Sequence, residues 1–184
     1  MSPLKQVPRP TYTPGQVLVP WVSPDLIARP SPVQGVGLFA QTDIPAGVVL
    51  IVWGGTIYTG ADLLAGKANP DSVAVLDENL YLADPADAAP QPDYPLNHAC
   101  DPNLWLQDAV TLVTRRAVAA DEELTADYAL WLDDPAWVLQ PCRCGSALCR
   151  RRITGRDWQI PALQQRYRGH FTPFLNLKIN RLQR

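Results

Sequence analysis

Long apolar runs are missing from this sequence of 184 residues. None approaches the ~20 consecutive apolar residues that a helix needs to cross a membrane. No basic segment followed by an apolar stretch stands near the start, as it would in a secretory signal. We therefore expect a soluble, cytoplasmic protein with no membrane partner.

Charged residues are also few, at 18%, while hydrophobic residues make up 47%. This composition is ordinary for a globular protein and excludes a disordered or fibrous chain. The length suits one domain, since a domain of roughly 150 residues already buries about two-thirds of its unfolded surface. Proline and glycine are abundant, with 19 and 11 residues, and predict many turns between short elements.

The net charge of −2 is unevenly distributed. Residues 142–184 hold ten Arg or Lys and one acid, which gives +9, and the remaining residues hold six bases and seventeen acids, which gives −11. Either this basic tail packs against the acidic body, or the body attracts a basic peptide while the tail contacts an anion. The sequence leaves both interpretations open.

Local patterns predict short strands and a few helices. Runs of β-branched and apolar residues predict strands at 36–39, 48–53, 79–83, 104–106, 110–115 and 123–125, and a loop at 84–95. A short helix is predicted at 61–67 and another at 161–168, between Pro161 and Gly169. An amphipathic helix is expected near the end, where Phe174, Leu175, Ile179 and Leu182 share one face.

Cysteine is scarce, yet three of the four cysteines lie together in the C-x-C-x4-C run Cys142, Cys144 and Cys149. Structural zinc takes four thiolate or imidazole ligands, and Cys100, His98 and His170 are the remaining Cys or His candidates. Disulfides and free buried thiols are the alternatives, but a cytosolic setting and C-x-C spacing disfavour disulfides. We predict a zinc site with Cys100 as the fourth ligand, because its thiolate completes an all-cysteine set.

Four segments, in order, resemble the signatures of SET-domain protein-lysine methyltransferases. The run Asn97-His98-Ala99-Cys100-Asp101-Pro102-Asn103 is similar to N-H-S-C-x-P-N, and residues 123–128 (ELTADY) are similar to E-L-T-x-D-Y. Residues 35–47 resemble the family's N-terminal glycine segment, and residues 142–150 resemble its post-SET cysteine cluster. The similarity covers about residues 33–150.

The resemblance implies a mainly β fold with few short helices, built of several small sheets with a threaded C-terminal segment. It divides the chain into a proline-rich extended leader at 1–32, a SET domain at 33–130, a post-SET zinc segment at 131–152 and a basic helical tail at 153–184. The compact domain, with no cysteine-rich segment before residue 33, favours a bacterial source.

The resemblance also implies a reaction, the transfer of methyl groups from S-adenosylmethionine to lysine side chains of a protein or basic peptide. Tyr128 would be the catalytic tyrosine and Tyr81 a second tyrosine lining the lysine channel. The implied cofactor-binding residues are Gly35, Val36, Gly37, Leu38, Asn97, His98, Tyr128 and Trp158, with Trp131 as a further candidate beside the adenine. In post-SET relatives Cys100, Cys142, Cys144 and Cys149 would share one structural zinc ion.

The sequence departs from the family at two segments. Ala126 replaces the aromatic residue that many members carry two positions before the catalytic tyrosine, which predicts room for di- or trimethylation. The acidic E-Y-x-G-E segment is replaced by residues 52–56 (VWGGT), so the contacts at the edge of the substrate differ.

Two other functions compete with the enzyme. A SET-like binding module without turnover would be expected to lose Tyr128 or Asn97, and both are present. A zinc-containing nucleic-acid-binding protein could use the basic tail, but paired Cys and His ligands at zinc-finger spacing are missing, so we do not expect nucleic acid as a partner. The oligomeric state is not predicted.

Overall fold

The computed structural model describes residues 11–88 and 95–183. The first ten residues of the predicted leader and half of the predicted loop at 84–95, residues 89–94, therefore lie outside the described residues. None of the helices in the described ranges has the length and apolar character needed to cross a membrane.

The described chain forms fourteen short strands, three α-helices and three single turns of 3₁₀-helix. The strands are β1 (Val17–Leu18), β2 (Trp21–Val22), β3 (Leu26–Pro30), β4 (Val36–Ala40), β5 (Val49–Val52), β6 (Gly55–Thr59), β7 (Ala74–Asp77), β8 (Leu80–Ala83), β9 (Asn97–His98), β10 (Leu104–Leu106), β11 (Thr111–Thr114), β12 (Glu123–Ala126), β13 (Val138–Leu139) and β14 (Ile153–Thr154). The helices are α1 (Gly60–Leu64), α2 (Pro161–Arg166) and α3 (Pro173–Leu182), and the 3₁₀ turns are Pro70–Ser72, Tyr128–Leu130 and Asp157–Gln159. The predicted mainly β architecture with few short helices is confirmed.

Three four-stranded sheets make up the body, in the orders β1-β6-β8-β7, β10-β11-β5-β2 and β3-β4-β12-β9. Most pairs are antiparallel, as expected for strands joined by short turns. The pair of β9 with β12 is parallel, with Thr125 opposite Asn97 and Ala126 opposite His98. This pairing sets two of the four signature segments side by side.

Part of the predicted leader belongs to the sheets. Within residues 17–30, β1 pairs with β6, β2 with β5, and β3 with β4, so each sheet receives one edge strand from this segment. The predicted start of the domain at residue 33 therefore does not coincide with a break between packed units, because β3 is hydrogen-bonded along its full length to β4.

The main hydrophobic core lies between two of the sheets and the C-terminal helices. Leu50, Leu104 and Leu124 come from the sheets, whereas Tyr167 and Leu175 come from the tail, and all five are fully buried. A smaller core around Ile57 and Leu82 lies on the first sheet. The C-terminal helices therefore form part of the hydrophobic core of the domain.

Helix ends follow the capping residues. Thr59 and Asp62 form a reciprocal capping box at the start of α1. The helix ends at Leu64, short of the predicted residue 67, because Gly66 takes a left-handed conformation with φ of +70°. The helix predicted at 161–168 ends similarly early, at Arg166, with Gly169 in a left-handed turn at φ +84°.

Several cations of the basic tail pair with acids of the body. Lys178 lies beside Asp133, and the Arg150 guanidinium contacts Asp127. The interpretation in which the tail packs against the acidic body therefore holds for these residues.

Candidate active site

Tyr128 lies at the point where β12 ends and a 3₁₀ turn begins. Asp127 caps this turn by accepting a hydrogen bond from the Ala129 N–H, at 3.1 Å. The Tyr128 hydroxyl donates to the main-chain carbonyl of Leu96, at 2.8 Å, just before β9. Burial raises the pKa of Tyr128 above its ordinary value, so this hydroxyl stays protonated at neutral pH.

A cavity of about 810 Å³ opens beside Tyr128, and most of its lining is apolar. Trp131 and Trp137 flank the tyrosine, with ring centroids 5.4 and 5.7 Å from it, and Trp53 packs edge-on to Trp131 at 5.0 Å. Trp53 belongs to the VWGGT segment that departs from the family pattern, so this departure contributes directly to the wall of the cavity. Leu96 also lines it, close to the tyrosine hydroxyl.

Tyr81 does not line this cavity. Because side chains alternate along β8, Leu82 faces the cavity beside Tyr128, whereas Tyr81 lines a second cavity of about 540 Å³. The two cavities share Trp131 and Trp137 and are therefore neighbours. The structure thus places the two predicted catalytic tyrosines in different, neighbouring cavities.

The glycine segment at residues 35–38 lies against Asn97. The Asn97 side-chain amide donates to the carbonyls of Gln34 and Val36, at 3.0 and 3.1 Å, and to the Glu123 carboxylate, at 2.7 Å. A side chain at Gly37 would meet that carboxylate, since an added Cβ would lie 2.2 Å from Glu123 Oε1. Glycine is needed here because two chain segments approach closely.

His98 links Tyr128 to the cysteines. Its Nδ1 accepts a hydrogen bond from the Tyr128 main-chain N–H, at 3.3 Å, and its Nε2 lies 3.3 Å from Cys100 Sγ. Burial lowers the pKa of His98 to about 4, so the ring is neutral at pH 7 despite an Asp127 oxygen 3.8 Å away. With Nδ1 accepting, the proton is on Nε2, which donates to the Cys100 sulfur.

The four cysteines converge on one point. The sulfur atoms of Cys100, Cys142, Cys144 and Cys149 all lie within 4.8 Å of one another. Tetrahedral zinc with Zn–S bonds of about 2.3 Å separates its sulfurs by about 3.8 Å, so the spacing suits this ion. Cys100 Sγ also accepts a hydrogen bond from the Arg150 main-chain N–H, at 3.3 Å. Such a hydrogen bond stabilises a thiolate ligand.

Burial of two of the cysteines opposes the thiolate form in the absence of a cation. It raises the pKa of Cys142 to about 11 and that of Cys100 further, so without a positive ion these two sulfurs would hold their protons. Together with the all-sulfur donor set, this fits zinc.

A buried ionic network joins the cysteine segment to Tyr128, and sequence reasoning did not identify it. The Arg150 guanidinium forms two hydrogen bonds with Asp127, at 2.6 and 2.8 Å, and one with Asp157, at 2.9 Å. Asp127 is completely buried and also accepts from the Tyr167 hydroxyl at 3.2 Å. Arg150 and Asp127 both stand in the signature segments, but their contact could not be inferred from either segment alone.

Trp158, predicted to contact the cofactor, lies in the main core and lines neither cavity. It is 2% exposed, and its indole N–H donates to Asp133 at 2.8 Å. Trp131, in contrast, lines both cavities.

Comparison with known proteins agrees with this geometry. A family model described as the SET domain matches residues 35–129. Over 75 residues, which are 37% of this chain and 3% of the relative, the sequence is 36% identical to the histone-lysine N-methyltransferase ash1 of Drosophila melanogaster. Over 140 residues, 66% of this chain and 5% of the relative, it is 28% identical to the human histone-lysine N-methyltransferase 2B.

Among solved structures, KRYPTONITE in complex with mCHG DNA and SAH matches with a TM-score of 0.54 and 26% identity, covering 69% of this chain and 28% of that chain. The chain thus spans only a small part of these relatives. Because the family model alone covers more than half of the sequence, the chain belongs to the SET domain family.

Proposed function

We propose that this protein is an S-adenosylmethionine-dependent methyltransferase that acts on lysine side chains of a protein substrate. The relatives named above are histone-lysine methyltransferases, and the similar structure contains SAH. The observation that carries the proposal is the Tyr128 hydroxyl, held by the Leu96 carbonyl at an apolar cavity walled by tryptophans.

The target amine must be uncharged when it attacks, although an unperturbed lysine has a pKa near 10.4. An apolar cavity disfavours the ammonium form and so favours loss of the proton to water. The Tyr128 hydroxyl donates to the Leu96 carbonyl, which fixes its orientation and leaves its oxygen able to accept a hydrogen bond from the amine. This orientation is the contribution we assign to Tyr128, because in-line displacement depends on alignment.

Asn97 and His98 connect this cavity to the proposed cofactor segment. Adjacent on β9, they contact Val36 and Tyr128 respectively. We assign residues 35–38, Asn97 and His98 to S-adenosylmethionine, which supplies an electrophilic methyl group on a positively charged sulfur. We assign the four cysteines to a structural zinc ion that fixes the segment bearing Arg150 beside Asp127.

The experiment is incubation of the protein with methyl-labelled S-adenosylmethionine and cell extract, comparing wild type with Tyr128→Phe. Wild type should label a set of proteins on lysine, and Tyr128→Phe should lose most of this labelling while still binding the cofactor. Tyr12→Phe is the control, since Tyr12 is half-buried against the smaller core and lines neither cavity. Equal labelling by wild type and Tyr128→Phe would exclude the role of Tyr128, and cofactor binding without any labelling would favour the binding module.

The number of methyl groups added is a separate proposal. Ala126 is small, is fully buried in the main core and lines neither cavity; because an aromatic side chain is missing at this position, we expect space for di- and trimethyl products. Mass spectrometry of the product at long incubation times tests this, and only monomethylated lysine would contradict it.

A further inference from the structure

The second cavity, of about 540 Å³, has a chemistry different from the first. Its walls are aromatic and consist of Tyr81, Trp131, Trp137 and Phe174. Aromatic walls of this kind suit a flat or cationic group. Its remaining polar lining is acidic and consists of Glu78, Asp133 and Asp134. The first cavity, in contrast, has Asp84 as its one acidic lining residue among those described.

Two of these three carboxylates are available to a cation. Asp133 is already occupied, because it accepts from the Trp158 indole and lies beside Lys178. Asp134 accepts only the main-chain N–H of Ala136, at 2.9 Å, among the described contacts. Glu78 lies 3.8 Å from Arg181 with both side chains more than two-thirds exposed, and such an exposed pair contributes little.

The segment of sequence that contains Glu78 carries a negative net charge. Residues 54–88, which supply β6, β7 and β8, contain six acids and one base, or a net charge of −5. That base, Lys67, pairs with Asp62 at 2.7 Å. A cationic group would therefore be attracted to this side of the molecule.

We propose that this second cavity binds an arginine side chain of the substrate, close in sequence to the lysine that is methylated. The inference rests on the proposed function. The two cavities share Trp131 and Trp137, so neighbouring side chains of one peptide can enter both. The amine that reacts must be neutral and takes the apolar cavity, whereas arginine stays charged and takes the acidic one. Its planar guanidinium can stack on an aromatic ring while a carboxylate accepts its N–H groups.

The test uses short synthetic peptides with one central lysine, in which a single arginine is moved through the flanking positions of an alanine-rich sequence. At one or two positions arginine should raise kcat/KM about five- to tenfold, mainly through a lower KM. Citrulline, which has nearly the same shape without the charge, should give no increase. Binding of the same fluorescently labelled peptides is measured by anisotropy, so that a difference is seen even without turnover.

The decisive variant is Asp134→Asn, which keeps an acceptor for the Ala136 N–H and should fold normally. It should remove the preference for arginine and leave the alanine peptide unchanged. Asp87→Asn is the matched control, because Asp87 is exposed and lines neither cavity. The proposal is overturned if arginine and citrulline peptides bind equally, or if both variants weaken arginine binding to the same extent. Labelling of proteins in cell extract tests the proposed function separately, and if no peptide is methylated the anisotropy data still decide the arginine site.

Discussion

Replacing Arg150 by methionine tests the connection between the cysteine segment and Tyr128. The guanidinium compensates two carboxylates, those of Asp127 and Asp157, whose side chains are 0% and 8% exposed. Methionine retains much of the apolar stem and removes the charge. The variant therefore leaves two buried carboxylates without a cation.

Removal of one partner from a buried ion pair costs about 3–5 kcal/mol. The Arg150 side chain is 15% exposed, so some solvent reaches the network, and we expect the lower end of this range. A loss of about 3 kcal/mol corresponds to a decrease in Tm of roughly 6–12 °C for a domain of this size. Asp127 retains the Ala129 N–H and Tyr167 hydroxyl, which limits the loss but does not neutralise the charge.

The assay is urea denaturation with the same zinc concentration in every sample. Arg152→Met is the control, since Arg152 is an exposed arginine in the same segment and its loss should change stability by no more than about 0.5 kcal/mol. The double variant Arg150→Met with Asp127→Asn should recover at least about 1 kcal/mol, because one of the uncompensated charges is gone. If Arg150→Met and Arg152→Met were equally stable, the buried network would have no energetic role.

Three further predictions concern the metal, the glycine segment and His170. Chelation of the metal should lower the Tm and also weaken S-adenosylmethionine binding in isothermal titration, and unchanged cofactor affinity would limit the cysteines to a structural clamp. Gly37→Ala should reduce cofactor affinity several-fold, because the added Cβ displaces the Glu123 carboxylate from Asn97. Adding Glu123→Ala to the same chain should relieve the clash. Full cofactor affinity of the single variant would refute the role of this close approach. Burial lowers the pKa of His170 in the folded protein. As the pH falls, the unfolded chain therefore binds a proton at His170 before the folded protein does. The contribution of His170 to the free energy of unfolding is thus fully present above about pH 6.5 and decreases below that pH. His170→Gln should therefore flatten the dependence of unfolding free energy on pH below about 6.5, and an unchanged slope would assign it to other groups.

Much of the secondary structure could be predicted because its signals are local. Strands β4, β10 and β12 were predicted within one residue of their ends, since apolar residues and flanking turns lie in adjacent sequence. The early ends of α1 and α2 were not predicted. Gly169 marked the end of the second helix in the sequence, but the exact residue at which each helix ends depends on backbone geometry, with Gly66 and Gly169 in the left-handed conformation.

The positions of Tyr81 and Trp158 depend on the fold as well as on residue type. Both are aromatic residues near signature segments, but strand alternation turns Tyr81 toward the second cavity, and core packing encloses Trp158. The Leu96 carbonyl carries no sequence signal at all, because any residue supplies the same group. Its position opposite the Tyr128 hydroxyl depends on how β9 lies beside β12.

The sequence by itself determined the family, the candidate catalytic tyrosine and the four cysteines, because these depend on side-chain chemistry at fixed spacings. Only the tertiary structure decided how they act together. Arg150 meets Asp127 across 23 residues of sequence, and His98 meets both Tyr128 and Cys100. The residues that line the two cavities likewise come from strands far apart in the chain. Such contacts depend on burial and strand pairing over the whole domain, which no local pattern specifies.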